Sequence, residues 1–297
     1  MIKSLKFRNI VQSSFFLDII MKINPEIKRL KKNIPEMPEI VNAMTVTRCN
    51  YKCGFCPNST ITHPRGKMSI EMYNKILDQL GKNWDGVFCP QLQNEPFLDK
   101  RLPELVKLAR EKLPKCTIEI QTNGSLLNKE LIEKILPYTD TLKVNDYTDD
   151  FKVIRRIKKY GIKNNRLVLV RRYPNDESLT NVANNVKYKM MKRKILPLNK
   201  FCAYPFKTAA INYDGKLLIC CMDWKHEHEF GDLNKSSLKE IWNNEKFKRL
   251  RESLSKSVRN YPLCQKCDFD GYSVGDFRRK HKSLYQFIEN SIFSRNL

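Results

Sequence analysis

Two rhythms of apolar and polar positions alternate along residues 41–172. Short runs of period two or continuous apolar character predict strands at VNAMTVT (41–47), GVFCPQL (86–92), TIEIQTN (117–123), TLKVN (141–145) and RLVLVR (166–171). Between them, windows of period 3.6 predict helices. These are SIEMYNKILDQLG (69–81), with a Ser cap and a Gly stop, LPELVKLAREKL (102–113), NKELIEKIL (128–136) and DDFKVIRRIKKYG (149–161). Five strands joined by four helical connections imply an α/β fold with a parallel sheet or partial barrel. Before this block, residues 1–35 pattern as one or two amphipathic helices, stopped near Pro35 and Pro38.

After residue 175 the rhythm changes. ESLTNVANNVKYKMMKR (177–193) predicts a helix. AAINYDGKLLICC (209–221) predicts a β-hairpin turning at Asp214-Gly215, and SLKEIWNNEKFKRLRESLSK (237–256) predicts one long helix. The expected organisation is a helical extension (1–38), a truncated parallel β/α barrel of five to six strands (39–195), a small α+β module (196–275) and a basic helical tail (276–297). No solenoid-type repeat and no low-complexity linker interrupts it.

Composition narrows the class. With 41% hydrophobic residues among 297, the chain can bury a large core. No apolar run reaches the roughly 18–20 residues that span a bilayer. The basic, then apolar, start lacks a small-residue cleavage site and does not read as a signal peptide. Ten cysteines are too sparse for a small secreted disulfide scaffold. A reduced, cytoplasmic setting fits, where clustered cysteines point to metal or catalysis. The net charge of +23 suits an anionic partner. A Lys-, Asn- and Ile-rich composition, with its lysines spread along the whole chain, accounts for the charge equally well. No nucleic-acid-binding module is visible. Residues 1–32 combine Phe15, Phe16 and Leu17 with eight nearby basic residues, a pattern that docks on the domain or lies on an anionic membrane surface.

The cysteines carry the chemistry. Cys49-x3-Cys53-x2-Cys56 directly follows the first strand, at the end of a β/α barrel where sites gather. Three thiolates at this spacing suit three corners of a cubane cluster and leave one iron open. The other reading is zinc, with His63 as a fourth ligand. TRCNYKCGFCPNS, including the aromatic Phe55, resembles the cluster motif of the radical S-adenosylmethionine (SAM) superfamily. The resemblance implies a [4Fe–4S] cluster on Cys49, Cys53 and Cys56, with SAM on the open iron, and reductive cleavage of SAM to a 5′-deoxyadenosyl radical. It also implies a flavodoxin- or ferredoxin-type reductant. Gln93-Asn94-Glu95-Pro96 stands where the family carries a Gly-rich acidic motif, and by that resemblance Glu95 holds the SAM amino group, with Asn94 beside it. Thr122-Asn123-Gly124 matches the family's turn after strand three and adds Asn123 to the cofactor-binding set.

Strand parity supports a polar lumen. Glu119, Gln121 and Asn123 share one face of strand three, opposite Ile118 and Ile120; Lys143 and Asn145 share a face of strand four; Arg171 lies opposite Val168 and Val170. Gln121 joins the expected cofactor-binding residues, and Glu119, Asp146 and Arg171 are the nominated catalytic ones. Asp149, Asp223 and Arg172 are further nominees near the mouth, with His226 and His228 read as surface residues. The alternative is a satisfied buried polar network.

The second group is Cys202-x12-Gly215-x4-Cys220 with Cys264-x2-Cys267. With the stretch GDLNKSSLKEIWNNEKFKRLRESL it resembles a SPASM/twitch auxiliary-cluster domain. That implies one auxiliary [4Fe–4S] cluster on Cys202, Cys220, Cys264 and Cys267, with Cys221 an alternative to Cys220. Cys89 and Cys116 read as core residues. The expected activity is radical oxidation of a small polar, carbohydrate- or aminocyclitol-like substrate. The alternatives are a peptide- or protein-modifying maturase and a non-catalytic iron–sulfur electron carrier.

Overall fold

The computed structural model describes residues 25–62, 65–173, 179–187 and 194–271. The expectations for residues 1–24, for His63 and for the tail 276–297 lie outside these. Among the described residues no helix is long and apolar enough to cross a membrane.

The helix α1 (Pro25–Lys32) buries Ile27 and Leu30 against the body of the protein. It is tied there by the ion pair of Arg29 with Glu39. Then come β1 (Ile40–Ala43), α2 (Ile70–Leu80), β2 (Val87–Cys89), α3 (Leu102–Lys112), β3 (Thr117–Thr122), α4 (Lys129–Ile135), β4 (Thr141–Asp146), α5 (Lys152–Lys158) and β5 (Leu167–Arg171). Each predicted strand and helix of this block forms. Local chemistry explains the boundaries. Ser69 caps α2 by accepting from the Met72 N–H, and Gly81, at φ 76°, ends it. Asn128 caps α4 in the same way. The α2 residues Met72, Tyr73, Ile76, Leu77 and Leu80 form one buried stripe.

The remaining elements are α6 (Tyr204–Lys207), β6 (Thr208–Ile211), β7 (Lys216–Leu218), β8 (Glu229–Asp232), α7 (Leu238–Trp242), α8 (Glu245–Ser255) and α9 (Pro262–Gln265). The eight strands among the described residues join one sheet in the order β5-β4-β3-β2-β1-β6-β7-β8. The strands from β5 to β6 are mutually parallel. β6, β7 and β8 continue antiparallel.

The sixth parallel strand therefore comes from the second half of the chain. The sequence pattern reads 209–221 only as a hairpin. The hairpin forms at Gly215, whose φ of +87° suits the turn. Its first strand also pairs along β1, Val41 beside Ala209. That pairing sandwiches β1, with Val41 and Ala43 at 0% exposure. One continuous hydrophobic core runs under both halves.

Two helical expectations need correction. Residues 179–187, within the helix expected over 177–193, form turns, with Val182, Ala183 and Asn184 at positive φ. Asn181 instead anchors the segment to Asp268 and Lys266. The single helix expected over 237–256 is two. It breaks at Asn243-Asn244, because Asn244 caps α8 by accepting from the Phe247 N–H. Arg251 closes the corner, its guanidinium 4.1 Å from the Trp242 ring centroid and 4.8 Å from that of Phe247.

Candidate active site and auxiliary cluster pocket

Cys49, Cys53 and Cys56 are free thiols of intermediate exposure, on the loop after β1. Burial raises the pKa of each; the Glu95 carboxylate adds to it at Cys49, and neighbouring thiols add to it at Cys53 and Cys56. Cys53, coupled to Cys56 and Cys49, is pushed up to about 11. The three thus share one neighbourhood. Phe55 packs against Tyr147, the residue after β4, with ring centroids 5.4 Å apart.

Glu95 stands beside this loop, and its backbone N–H donates to the Arg48 carbonyl at 2.9 Å. Its side chain is 2% exposed. Oε1 accepts from Thr122 Oγ1 at 2.6 Å and from the Phe97 N–H at 3.2 Å; Oε2 accepts from the Asn123 N–H at 2.8 Å. None of these partners is a cation. Burial raises the Glu95 pKa, and its charge in turn raises that of Cys49.

Three thiols and a carboxylate that oppose each other's ionisation make a site that positive charge stabilises. Iron under the thiolates and an ammonium at the carboxylate fit this donor set. A carboxylate has about four acceptor positions, and three are used, so one remains for such a group.

The turn after β3 locks onto the same loop. Asn123 Nδ2 donates to Asn50 Oδ1 at 2.9 Å and lies 3.9 Å from Cys49 Sγ; Asn50 Nδ2 donates to Ser125 Oγ at 2.8 Å. Gly124 sits at φ +70°, where an added Cβ would lie 2.5 Å from Val144 Cγ1. Arg156 of α5 donates to the carbonyls of Gly124, Ser125 and Leu127 and pins the turn from behind. Asn94 Oδ1 accepts from the Leu92 N–H, while its Nδ2 is buried without a partner.

Register sorts the lumen residues. Gln121, Lys143 and Val168 lie side by side across β3, β4 and β5, and Asn145 lies beside Val170. Glu119 is half-buried and Gln121 exposed on this face. Asp146 and Arg171 are paired with each other on the opposite face. Asp146 is 0% exposed and accepts from Thr148 N, Thr148 Oγ1 and Ile154 N at 2.6–3.0 Å, anchoring the start of α5. Arg171 lies over the Phe151 ring at 5.3 Å. The polar face expected from alternation thus ends at β4, because β5 turns Val168 and Val170 toward it. Arg172 reaches Asn145 Oδ1 with its Nε at 2.9 Å. Asp149 is exposed; Asp223 is 1% exposed and accepts from the His228 and Glu227 N–H groups.

A cavity in the second half is lined by Cys202, Cys220, Cys264 and Cys267, together with Met222, Arg259 and Phe269. Cys221 does not line it. Burial and mutual repulsion push Cys264 up to about 12 and Cys267 to about 11. Burial raises Cys220 well above the usual thiol range too, and Cys221, Cys264 and Cys267 add to it. Cys89 and Cys116 are buried in the core, at 4% exposure each. Among the described residues, no group of three His, Cys, Asp or Glu is arranged to hold a single metal ion.

Gln93 is a link that sequence reasoning did not find. It lies in the bend after β2 and is buried; its Nε2 donates to the Cys221 and Asp223 carbonyls at 2.9 and 3.2 Å, and its Oε1 meets His226 Nε2 at 2.9 Å. His226, expected at the surface, is part of this junction.

Comparison with known proteins agrees with this geometry. Residues 44–164 match the family model of the Radical SAM superfamily, and residues 202–268 match SPASM, an iron–sulfur cluster-binding domain. The chain is 25% identical over 236 residues to the S-adenosyl-L-methionine-dependent 2-deoxy-scyllo-inosamine dehydrogenase of Niallia circulans, covering 75% of this chain and 89% of that protein. A shorter stretch of 98 residues is 32% identical to the antilisterial bacteriocin subtilosin biosynthesis protein AlbA of Bacillus subtilis (strain 168), covering 33% of this chain and 21% of that protein. In fold, it resembles BtrN, solved in complex with AdoMet and 2-DOIA, with a TM-score of 0.70 at 22% identity over 78% of this chain and 94% of that one. It also resembles anSMEcpe with bound AdoMet, with a TM-score of 0.52 at 12% identity over 86% of this chain and 94% of that one. Cysteine spacing, parallel sheet and both domain matches lead to one assignment: the chain belongs to the radical SAM superfamily, an iron–sulfur, SAM-dependent enzyme whose radical SAM domain is followed by a SPASM domain.

Proposed function

We propose that this enzyme dehydrogenates a small polar substrate of the aminocyclitol or carbohydrate type, with two [4Fe–4S] clusters. Cys49, Cys53 and Cys56 hold the first; Cys202, Cys220, Cys264 and Cys267 hold the second. The observation that carries the reading is Gln93. It joins the loop of Glu95 to the Cys221 and Asp223 carbonyls, just beyond Cys220, so that the SAM pocket and the second cluster flank one polar lumen. Such a lumen suits a small polyol better than a long peptide. The near-full-length similarity to an aminocyclitol dehydrogenase supports the same class.

When bound, the cluster–SAM pair would supply a radical able to remove a carbinol hydrogen atom, and a cluster on Cys202, Cys220, Cys264 and Cys267 would offer an acceptor for the remaining electron. The chain's own residues do the rest. Glu95 and Asn94 hold the SAM amino acid moiety, Asn123 fixes the loop of Cys49, and Phe55 and Gln121 border the nucleoside. Glu119 takes the hydroxyl proton, since Asp146 is committed to α5 and Arg171 faces away from the lumen. Val168 and Val170 keep one wall dry, and Arg172 orients Asn145. A flavodoxin- or ferredoxin-type protein supplies electrons in a cytoplasmic setting.

The test is anaerobic reconstitution followed by incubation with SAM, dithionite and carbinol-deuterated amino polyols. Iron for two clusters and deuterium in 5′-deoxyadenosine support the reading. SAM cleavage with no deuterium transfer from any amino polyol or sugar overturns the substrate class. The peptide-modifying alternative, favoured by the AlbA-like stretch, then takes its place. Iron without SAM cleavage under any substrate points to an electron carrier.

A further inference from the structure

Two guanidinium groups are buried in the SPASM half, Arg251 at 2% exposure and Arg259 at 3%. Neither donates to a carboxylate. Arg251 donates to the carbonyls of Pro205 and Trp242; its Nη2 also lacks a partner, but the guanidinium rests on two aromatic rings, which take its charge. The environment of Arg259 is different. Its Nε donates to the Lys200 carbonyl at 3.0 Å and its Nη1 to the Cys267 carbonyl at 3.3 Å. Its Nη2 is buried without a partner. The same side chain lines the cavity of the four thiols.

A guanidinium cannot shed its proton inside a protein. Burying it without a counter-anion costs several kcal/mol, on the order of a salt bridge broken from one side. Four neutral thiols offer no compensation. Four thiolates around a [4Fe–4S]²⁺ core carry a net charge of roughly −2, which does. The charge of Arg259 and its spare N–H are thus complementary to a buried anionic cluster. Asp268, next to Cys267, makes no ion pair with Arg259; its Oδ1 accepts from the Asn181 N–H, while Arg259 donates only to backbone carbonyls.

We propose that Arg259 is the counter-charge of the second cluster, with Nη2–H directed to one of its sulfurs, and that it raises the cluster's reduction potential. The inference rests on the reading of Cys202, Cys220, Cys264 and Cys267 as cluster ligands. Reduction adds one negative charge to the cluster. A fixed positive charge and a donated hydrogen bond both stabilise that state. Arg259 therefore adjusts the cluster as an electron acceptor without touching substrate.

The experiment uses reconstituted full-length Arg259→Met, Arg259→Gln and Arg259→Lys. Iron and sulfide are counted, and each cluster's midpoint is measured by redox titration followed by electron paramagnetic resonance. SAM changes the signal of the three-cysteine cluster, so the SAM-insensitive signal reports the second one. In Arg259→Met the reduced-to-oxidised ratio of that signal falls at least tenfold at fixed potential, a drop of 59 mV for one electron. Arg259→Lys, which keeps the charge but not the planar fork, shows a smaller drop. The three-cysteine cluster's midpoint does not move.

An unmoved midpoint at full iron content overturns the role of Arg259 alone. Wild-type protein with iron for one cluster, and no SAM-insensitive signal, overturns the ligand reading and the inference with it. If Arg259→Met fails to hold iron, Arg259→Gln retains an N–H donor without the charge and is judged by the same midpoint.

Discussion

Replacing Glu95 with Gln separates the two tasks assigned to that side chain. Its carboxylate accepts three hydrogen bonds, from Thr122 Oγ1, Phe97 N and Asn123 N. An amide offers one oxygen, so either orientation of Gln sets an N–H donor against a backbone N–H. One buried donor is left unpaired, at a cost of about 1–3 kcal/mol. Removing a charge that burial already opposes offsets part of that loss. The folded protein therefore survives with a modestly lower melting temperature. Binding of SAM suffers more. A charge-assisted hydrogen bond from its ammonium is worth about 1.5–3 kcal/mol, or roughly 10- to 150-fold in affinity. The assay is equilibrium binding of SAM to anaerobically reconstituted wild type and Glu95→Gln, with iron counts on both and thermal melts of the iron-free chains. Wild-type SAM affinity at wild-type iron content would refute the assignment of Glu95 to the ammonium.

Replacing Cys49, Cys53 and Cys56 together with Ala abolishes 5′-deoxyadenosine release and leaves the iron of one cluster, measured by iron count on the purified chain. Cys221→Ala retains the iron of both clusters whereas Cys220→Ala loses one, since only Cys220 lines the four-thiol cavity. Gly124→Ala forces a side chain into positive φ and into Val144 and Val153, lowering stability by about 2–4 kcal/mol in a denaturant titration.

What the sequence made legible was local. Ser69, Gly81 and Asn128 bound their helices by chemistry within one turn, and the seven expected cluster cysteines were identifiable from spacing and resemblance. What it hid was pairing at long range. The run Thr208–Ile211 looks like one arm of a hairpin, and nothing in TAAI announces that its other edge meets β1. Gln93 is two residues from Glu95 in the sequence, but its partners lie 128 to 133 residues away. Two misses had local signals. Asn243-Asn244 is a strong cap pair inside a supposed helix, and Asn181, Asn184 and Asn185 lower helix propensity across 177–193. Asp146 had one as well: it follows Lys143 and Asn145 on the other parity, and Asp-x-Thr before a helix is a capping turn. Arg171 could be sorted only by register, because alternation alone does not say which face of β5 meets the lumen.

The two cysteine sites are joined more tightly than their separation along the chain suggests. β1, which delivers Cys49, and β6, whose hairpin delivers Cys220, are hydrogen-bonded neighbours in one sheet. Across the lumen a second connection runs from Glu95 along two peptide units to Gln93, through its amide to the Cys221 carbonyl, and over one peptide to Cys220. A displacement at either end therefore strains a buried hydrogen bond, and His226 on the Gln93 oxygen limits rotation of that amide. A SPASM domain hung on a flexible linker would let the two cysteine groups drift apart. Here it shares a sheet and a hydrophobic core with the barrel, so the separation of the two groups is set by the fold.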